Sequence, residues 1–181
     1  MLRVFVCVLL FSGPLLGVVP AAREVDTAKS SARFSIAHIW VERVTGTVPI
    51  LGGSVALESG SLIPQSATAV LDATSISTDE PDRDRSLESA DFFDAARFPK
   101  WTFVSTHVEP KSSTTFAMDG NLTIHGVTQP ERLNVTAAGT PSQPSYHAQG
   151  QIDRHAFGMT RTRLDPTIGD TADITLDIVL K

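Results

Sequence analysis

Apolar and polar residues alternate nearly one for one along most of this chain from about Val25 onward. Successive side chains of an extended chain point to opposite sides, so a period of two marks a strand with one buried face. Ala32, Phe34, Ile36 and His38 share one parity against Arg33, Ser35 and Ala37. Between Ala67 and Ala73, Ala69 and Leu71 oppose Thr68 and Asp72, and further on Trp101 and Phe103 oppose Thr102, Val104 and Thr106. Phe116, Met118, Leu122 and Ile124 form another set, as do Leu133 and Val135 after Pro130, and Tyr146, Ala148 and Ile152. The clearest strand is the last, with Ile174, Leu176, Ile178 and Leu180 on one side and Asp173, Thr175 and Asp177 on the other.

The pattern changes between Ser75 and Pro99. Asp79-Glu80-Pro81 is an acidic helix start with proline pre-set for the first turn, and Arg83 to Ala90 then predicts a short helix that closes one end of the sheet. No repeat or Pro/Gly/Ser linker divides the remainder, and 181 residues suit one domain. About eight strands of roughly 8–12 residues fit either a sandwich or an up-and-down barrel. Alternation alone predicts an all-β fold and does not separate the two.

The first residues follow different rules. Arg3 precedes an apolar run from Val4 to Phe11, Gly13 and Pro14 break it, and small residues follow at Ala21 and Ala22. That order predicts a secretory signal peptide over residues 1–22, cut after Ala21 or Ala22, with the domain proper at 23–181. A spanning helix needs about 20 apolar residues, and Ser12, Gly13 and Pro14 interrupt this run. The expectation is an exported protein without stable membrane insertion. Its single cysteine, Cys7, falls inside that segment, so the mature chain carries no disulfide and rests on its core.

Net charge of -5, with no Lys/Arg block, argues against a nucleic-acid partner. Nucleophilic catalysis has no support either, since there is no G-x-S-x-G elbow and no mature cysteine. Asp82, Asp84, Asp91 and Asp94 stand at helix ends, where capping explains them. His38, His107, His125, His147 and His155 are scattered singly, without the spacing of a metal site. His38 alone shares inward parity with Phe34 and Ile36, as a satisfied core histidine or as a polar contact for a ligand in an apolar pocket. Phe92, Phe93, Phe98, Trp101 and Phe103 crowd into twelve residues. They serve either as a core plug under the helix or as walls of a lipid tunnel, where each buried methylene contributes about 0.8 kcal/mol.

Four ordered stretches resemble the YceI-like family of lipocalin-like periplasmic proteins. They are Ser30-Ser31-Ala32-Arg33-Phe34-Ser35-Ile36-Ala37-His38; Ser89-Ala90-Asp91-Phe92-Phe93-Asp94 with Phe98-Pro99; Gly120-Asn121-Leu122-Thr123-Ile124-His125-Gly126-Val127-Thr128 with Pro130; and Ile152-Asp153-Arg154 with Phe157-Gly158. The resemblance implies an extended antiparallel eight-stranded lipocalin-like barrel with one short helix, enclosing an apolar tunnel. It further implies a periplasmic binding or carrier protein for a polyisoprenoid or quinone-like amphiphile, with neither catalytic residues nor cofactor nor metal. The expected wall comprises Phe34, Ile36, His38, Leu71, Phe92, Phe93, Trp101, Phe103, Leu122, Ile124 and Tyr146, with His38 and Tyr146 as polar handles. Departures from the family pattern are Lys29, Val48, Ser86 and a segment Thr160 to Gly169 without the usual aromatic. Two rival readings remain: a stress-protection or interaction module with a solid core, and an isoprenoid-modifying enzyme. A homodimer is compatible with the sequence, though no exposed apolar strand specifies one.

Overall fold

The computed structural model describes residues 21–38, 42–159 and 167–181. Ten strands form one antiparallel sheet: β1 (Ala21–Glu24), β2 (Ser31–His38), β3 (Glu42–Thr47), β4 (Ile50–Leu57), β5 (Pro64–Asp72), β6 (Lys100–Pro110), β7 (Thr115–Ile124), β8 (Val127–Thr140), β9 (Gln143–Asp153) and β10 (Ile168–Val179). Their order in the sheet is β1-β4-β5-β6-β7-β8-β9-β10-β2-β3. From β4 to β10 each strand pairs with its successor, the up-and-down plan that short turns favour.

The expected eight strands become ten because the first two are each broken once. β2 lies antiparallel to β10, Val25 just after β1 bridges Leu180 just after β10, and a turn closed by Lys29 N–H donating to Asp26 O at 3.1 Å separates β1 from β2. β3 and β4 are separated at Val48-Pro49, where proline lacks the donor a ladder needs. Pairing of β2 with β3 and of β1 with β4 thus makes one interrupted hairpin. Val25 closes the barrel: its N–H donates to Gly53 O at 3.0 Å, and it bridges Leu180. Asp26 N–H to Val179 O at 2.8 Å and Lys181 N–H to Glu24 O at 2.9 Å continue the seam. Closure removes the free edges that an open sheet would present.

Helix α1 (Pro81–Glu88) starts where the acidic signal predicts it, with Glu80 as N-cap accepting from the N–H groups of Asp82 and Arg83. It stops before the expected Ala90, because Ser89 leaves the helical region and Phe92 and Asp94 N–H groups bond back to Ser89 O. No residue of α1 is fully buried. Polar bonds anchor it instead: Asp84 accepts from Thr78 N–H at 2.8 Å, and Arg83 Nε donates to Thr78 Oγ1 at 2.7 Å.

Two apolar clusters make up the core, one toward each end. Phe116, Met118, Val135, Tyr146, Val55, Leu57 and Leu180 pack one end solid. Ala73, Ile76, Ala95, Trp101, Ile124, Phe157 and Met159 form the second cluster, on the side of α1. The predicted signal segment lies outside the described residues except for Ala21 and Ala22, which open β1.

Candidate lipid-binding lumen

Between the two clusters the barrel is hollow. The cavity measures about 560 Å³, within the roughly 300–1,000 Å³ of pockets that enclose drug-sized ligands. Its walls are inward parities of the strands: Phe34 and Ile36 from β2, Ala69 and Leu71 from β5, Trp101 and Phe103 from β6, Leu122 and Ile124 from β7. Leu133 on β8, Ile152 on β9 and Ile174, Leu176 and Ile178 on β10 complete the apolar surface. Exposed Asp82 and Ser86 of α1 border the same cavity, so the mouth opens at the helix.

Glycines set the bore. Phe34 pairs directly with Gly46 across β2 and β3, and a Cβ on Gly46 would stand 2.4 Å from Phe34 Cζ. A Cβ on Gly120 would likewise stand 2.2 Å from Phe103 Cζ. Carbon atoms in contact sit about 3.5–4.0 Å apart, so each ring occupies the space of an absent side chain. Near the mouth, Phe93 and Trp101 meet with ring centroids 4.6 Å apart. Trp101 Nε1–H is buried and finds no acceptor among the described residues.

Polar groups on the border are mostly committed. Arg154 is buried, donating to the carbonyls of Gly169 at 2.9 Å, Met159 at 2.7 Å and Ile168 at 3.3 Å, and thereby tying the start of β10 to the 3-10 turn Arg154–Phe157. His38 is half-buried on the wall and is the only histidine there. By contrast, His147 Nδ1 pairs with Asp177 on the outer face at 2.8 Å, which with Arg33 holds the Asp177 carboxyl below its usual range. Among the described residues no three His, Cys, Asp or Glu side chains group as a metal site.

All the wall residues predicted from sequence border this cavity except Tyr146. Tyr146 belongs to the solid end, where its ring meets Phe116 edge-on with centroids 6.2 Å apart. Its hydroxyl is buried without a partner among the described residues, and burial pushes its pKa up to about 12. It is core, and no polar handle for a lumen ligand. Sequence reasoning missed Val44, Leu87, Leu133, Met159 and the inward face of β10, although Ile174, Leu176 and Ile178 already carried the right parity. It also missed Glu131, a carboxyl on the inner wall of β8. Two departures from the family pattern, Val48 and Ser86, fall on the cavity border.

Comparison with known proteins agrees with this architecture. The family model described as the YceI-like domain matches residues 24–180. A UPF0312 protein of Vibrio campbellii is 29% identical over 160 residues, covering 85% of this chain and 82% of the relative. Among solved structures, Burkholderia cenocepacia BcnA superposes with a TM-score of 0.72 at 22% identity, covering 87% of this chain and 99% of that one. A domain of Saccharophagus degradans described as polyisoprenoid binding gives a TM-score of 0.63 at 15% identity, covering 90% and 98% of the two chains. Barrel, lumen and a family match over nearly the whole described chain lead to one assignment: the protein belongs to the YceI-like family.

Proposed function

We propose that this protein is a non-catalytic carrier that sequesters one long isoprenoid lipid or quinone-like amphiphile in its lumen. The observation that carries the reading is the apolar cavity of about 560 Å³ inside a closed barrel. An engineered cavity of about 150 Å³ lined by apolar side chains stays dry and takes up benzene, so this larger one suits a chain of many carbons. At about 0.8 kcal/mol per buried methylene, about fifteen to twenty carbons offset an association cost of roughly 4–15 kcal/mol. The polyisoprenoid-binding neighbour supports the same ligand class.

The reading assigns no catalytic step. His38, on the wall, makes no hydrogen bond to a described carboxylate. We place the protein in the periplasm, with residues 1–22 as the export signal, from the apolar run and its small-residue end.

Ile174 tests the site. It faces the lumen between Phe34 on β2 and Gly150 on β9 and is half-buried. Ile174→Asp places a carboxylate on the hydrocarbon surface and is expected to cut retention of an uncharged isoprenoid at least tenfold while the β circular-dichroism signature persists. Lys111→Ala, at an exposed position outside the cavity, is expected to leave retention unchanged. Equal retention by the two folded variants would remove the lumen as the binding site.

A further inference from the structure

β8 carries one inward residue that barrel packing does not explain. Along this strand the less exposed positions are Val127, Gln129, Glu131, Leu133, Val135 and Ala137, the last two buried in the solid end. Glu131 shares that parity, borders the lumen and is half-buried. Its cross-strand partner on β7 is Gly120, which offers no side chain and whose inner face is taken by the Phe103 ring. Leu133, the next inward residue, rests with its Cδ2 2.7 Å from where a Cβ on Gly150 would be.

The Glu131 carboxyl makes no hydrogen bond or ion pair with any described residue. Cations adjoining it in sequence or on the lumen border have partners of their own, Arg33 with Asp177 among them. Arg132, next in sequence, points outward to Asp119, with Oδ1 at 2.9 Å, and to Glu109. Arg83 is held by Thr78, and Arg154 by three backbone carbonyls. Burial, reinforced by the nearby Asp153 charge, holds the Glu131 carboxyl above its ordinary range. An unpaired carboxylate is costly once hydrocarbon replaces the surrounding water, so a ligand filling the lumen shifts the group further in the same direction. Undissociated, the group both donates and accepts one hydrogen bond.

We propose that Glu131 receives the polar end of the ligand, so that the barrel selects an amphiphile ending in an uncharged hydroxyl or carbonyl and disfavours one ending in phosphate. This inference rests on the carrier reading above and adds to it the headgroup chemistry and its position on the β8 wall. A phosphate at that point of the β8 wall would meet the Glu131 carboxyl, while Arg132 on the same strand points outward to Asp119 and Glu109.

The test uses phytane, phytanol and phytanyl phosphate, which share one branched carbon skeleton, as competitors of an uncharged fluorescent probe bound to the full mature chain. Wild-type protein is expected to bind phytanol more tightly than either of the others. Glu131→Leu is expected to weaken phytanol about threefold to tenfold, the worth of one net hydrogen bond, while phytane binds as before or better. Glu131→Gln keeps a neutral donor and acceptor, and is expected to preserve phytanol binding and narrow the gap to the phosphate. If Glu131→Leu leaves the ratio of phytanol to phytane affinity unchanged, the headgroup inference is overturned while the carrier reading stands. If wild-type protein binds neither phytane nor phytanol, both fall.

Discussion

The bore of the lumen depends on rings lying over glycines, and Gly120→Ala probes that arrangement with a single methyl group. The added Cβ would fall 2.2 Å from Phe103 Cζ, 2.4 Å from Cε2 and 2.8 Å from the Val104 carbonyl oxygen. The carbonyl is fixed in strand β6, so the ring must yield, and ordinary contact at about 3.5–4.0 Å requires it to retreat by more than an ångström. Its free side is the lumen. Overpacking of this kind costs about 1–3 kcal/mol; at about 2 kcal/mol the melting temperature of a chain this size falls by roughly 4–8 °C. The displaced ring also occupies volume that ligand would use, so affinity for an uncharged isoprenoid probe falls together with stability. Gly52→Ala is the control, since nothing lies within 4 Å of its would-be Cβ. It is expected to be neutral or to stabilise by up to about 1 kcal/mol through the unfolded chain. Melting curves and probe titrations on the two variants decide the matter. If Gly120→Ala matches wild type in both, Phe103 does not rest on Gly120 and the account of the bore is wrong.

Three further outcomes follow from other parts of the barrel. Arg154→Met leaves three backbone carbonyls without their donor and is expected to cost roughly 3–5 kcal/mol, read in chemical denaturation; a loss below about 1 kcal/mol would show that those bonds do not hold β10. Tyr146→Phe removes a buried hydroxyl that lacks a described partner, so stability is expected to hold or rise by up to about 1 kcal/mol, with probe affinity unchanged; a clear loss of affinity would return Tyr146 to the binding site. Glu109 is lowered to about 2 by hydrogen bonds from Lys111 and Arg132. A carboxylate whose folded pKa is depressed adds stability above its unfolded value, and that stability is lost as pH falls through the folded one. Glu109→Gln is therefore expected to flatten the acid side of the stability profile between about pH 4.5 and 2, as followed by urea midpoints; an unchanged acid limb would contradict the assigned partners.

Much of the barrel is legible in the sequence because alternation reports directly which side chains face inward. Phe34, Ile36, Leu71, Phe103, Leu122 and Ile124 follow from parity and stand on the lumen wall. Parity does not report whether the interior is filled at a given height. Tyr146 and Ile152 have the same inward sense on β9, yet one packs on Phe116 and the other borders the cavity. Glu131 escaped for a related reason: a charged residue at an inward position reads as an interruption of the pattern until the strand is seen to pass a hollow. The two breaks that divide the first hairpin depend on the turn at Asp26 and on Pro49, local events that a period of two does not encode. The rings over Gly46 and Gly120 required cross-strand register, which no single strand contains.

The central claim is that the lumen holds lipid, and the direct measurement is native mass spectrometry of the protein as purified from cells, with solvent extraction of whatever accompanies it. The account predicts one isoprenoid lipid or quinone-like amphiphile per chain, released on unfolding, with an uncharged polar end. A chain that emerges empty and also refuses added uncharged isoprenoids would contradict it.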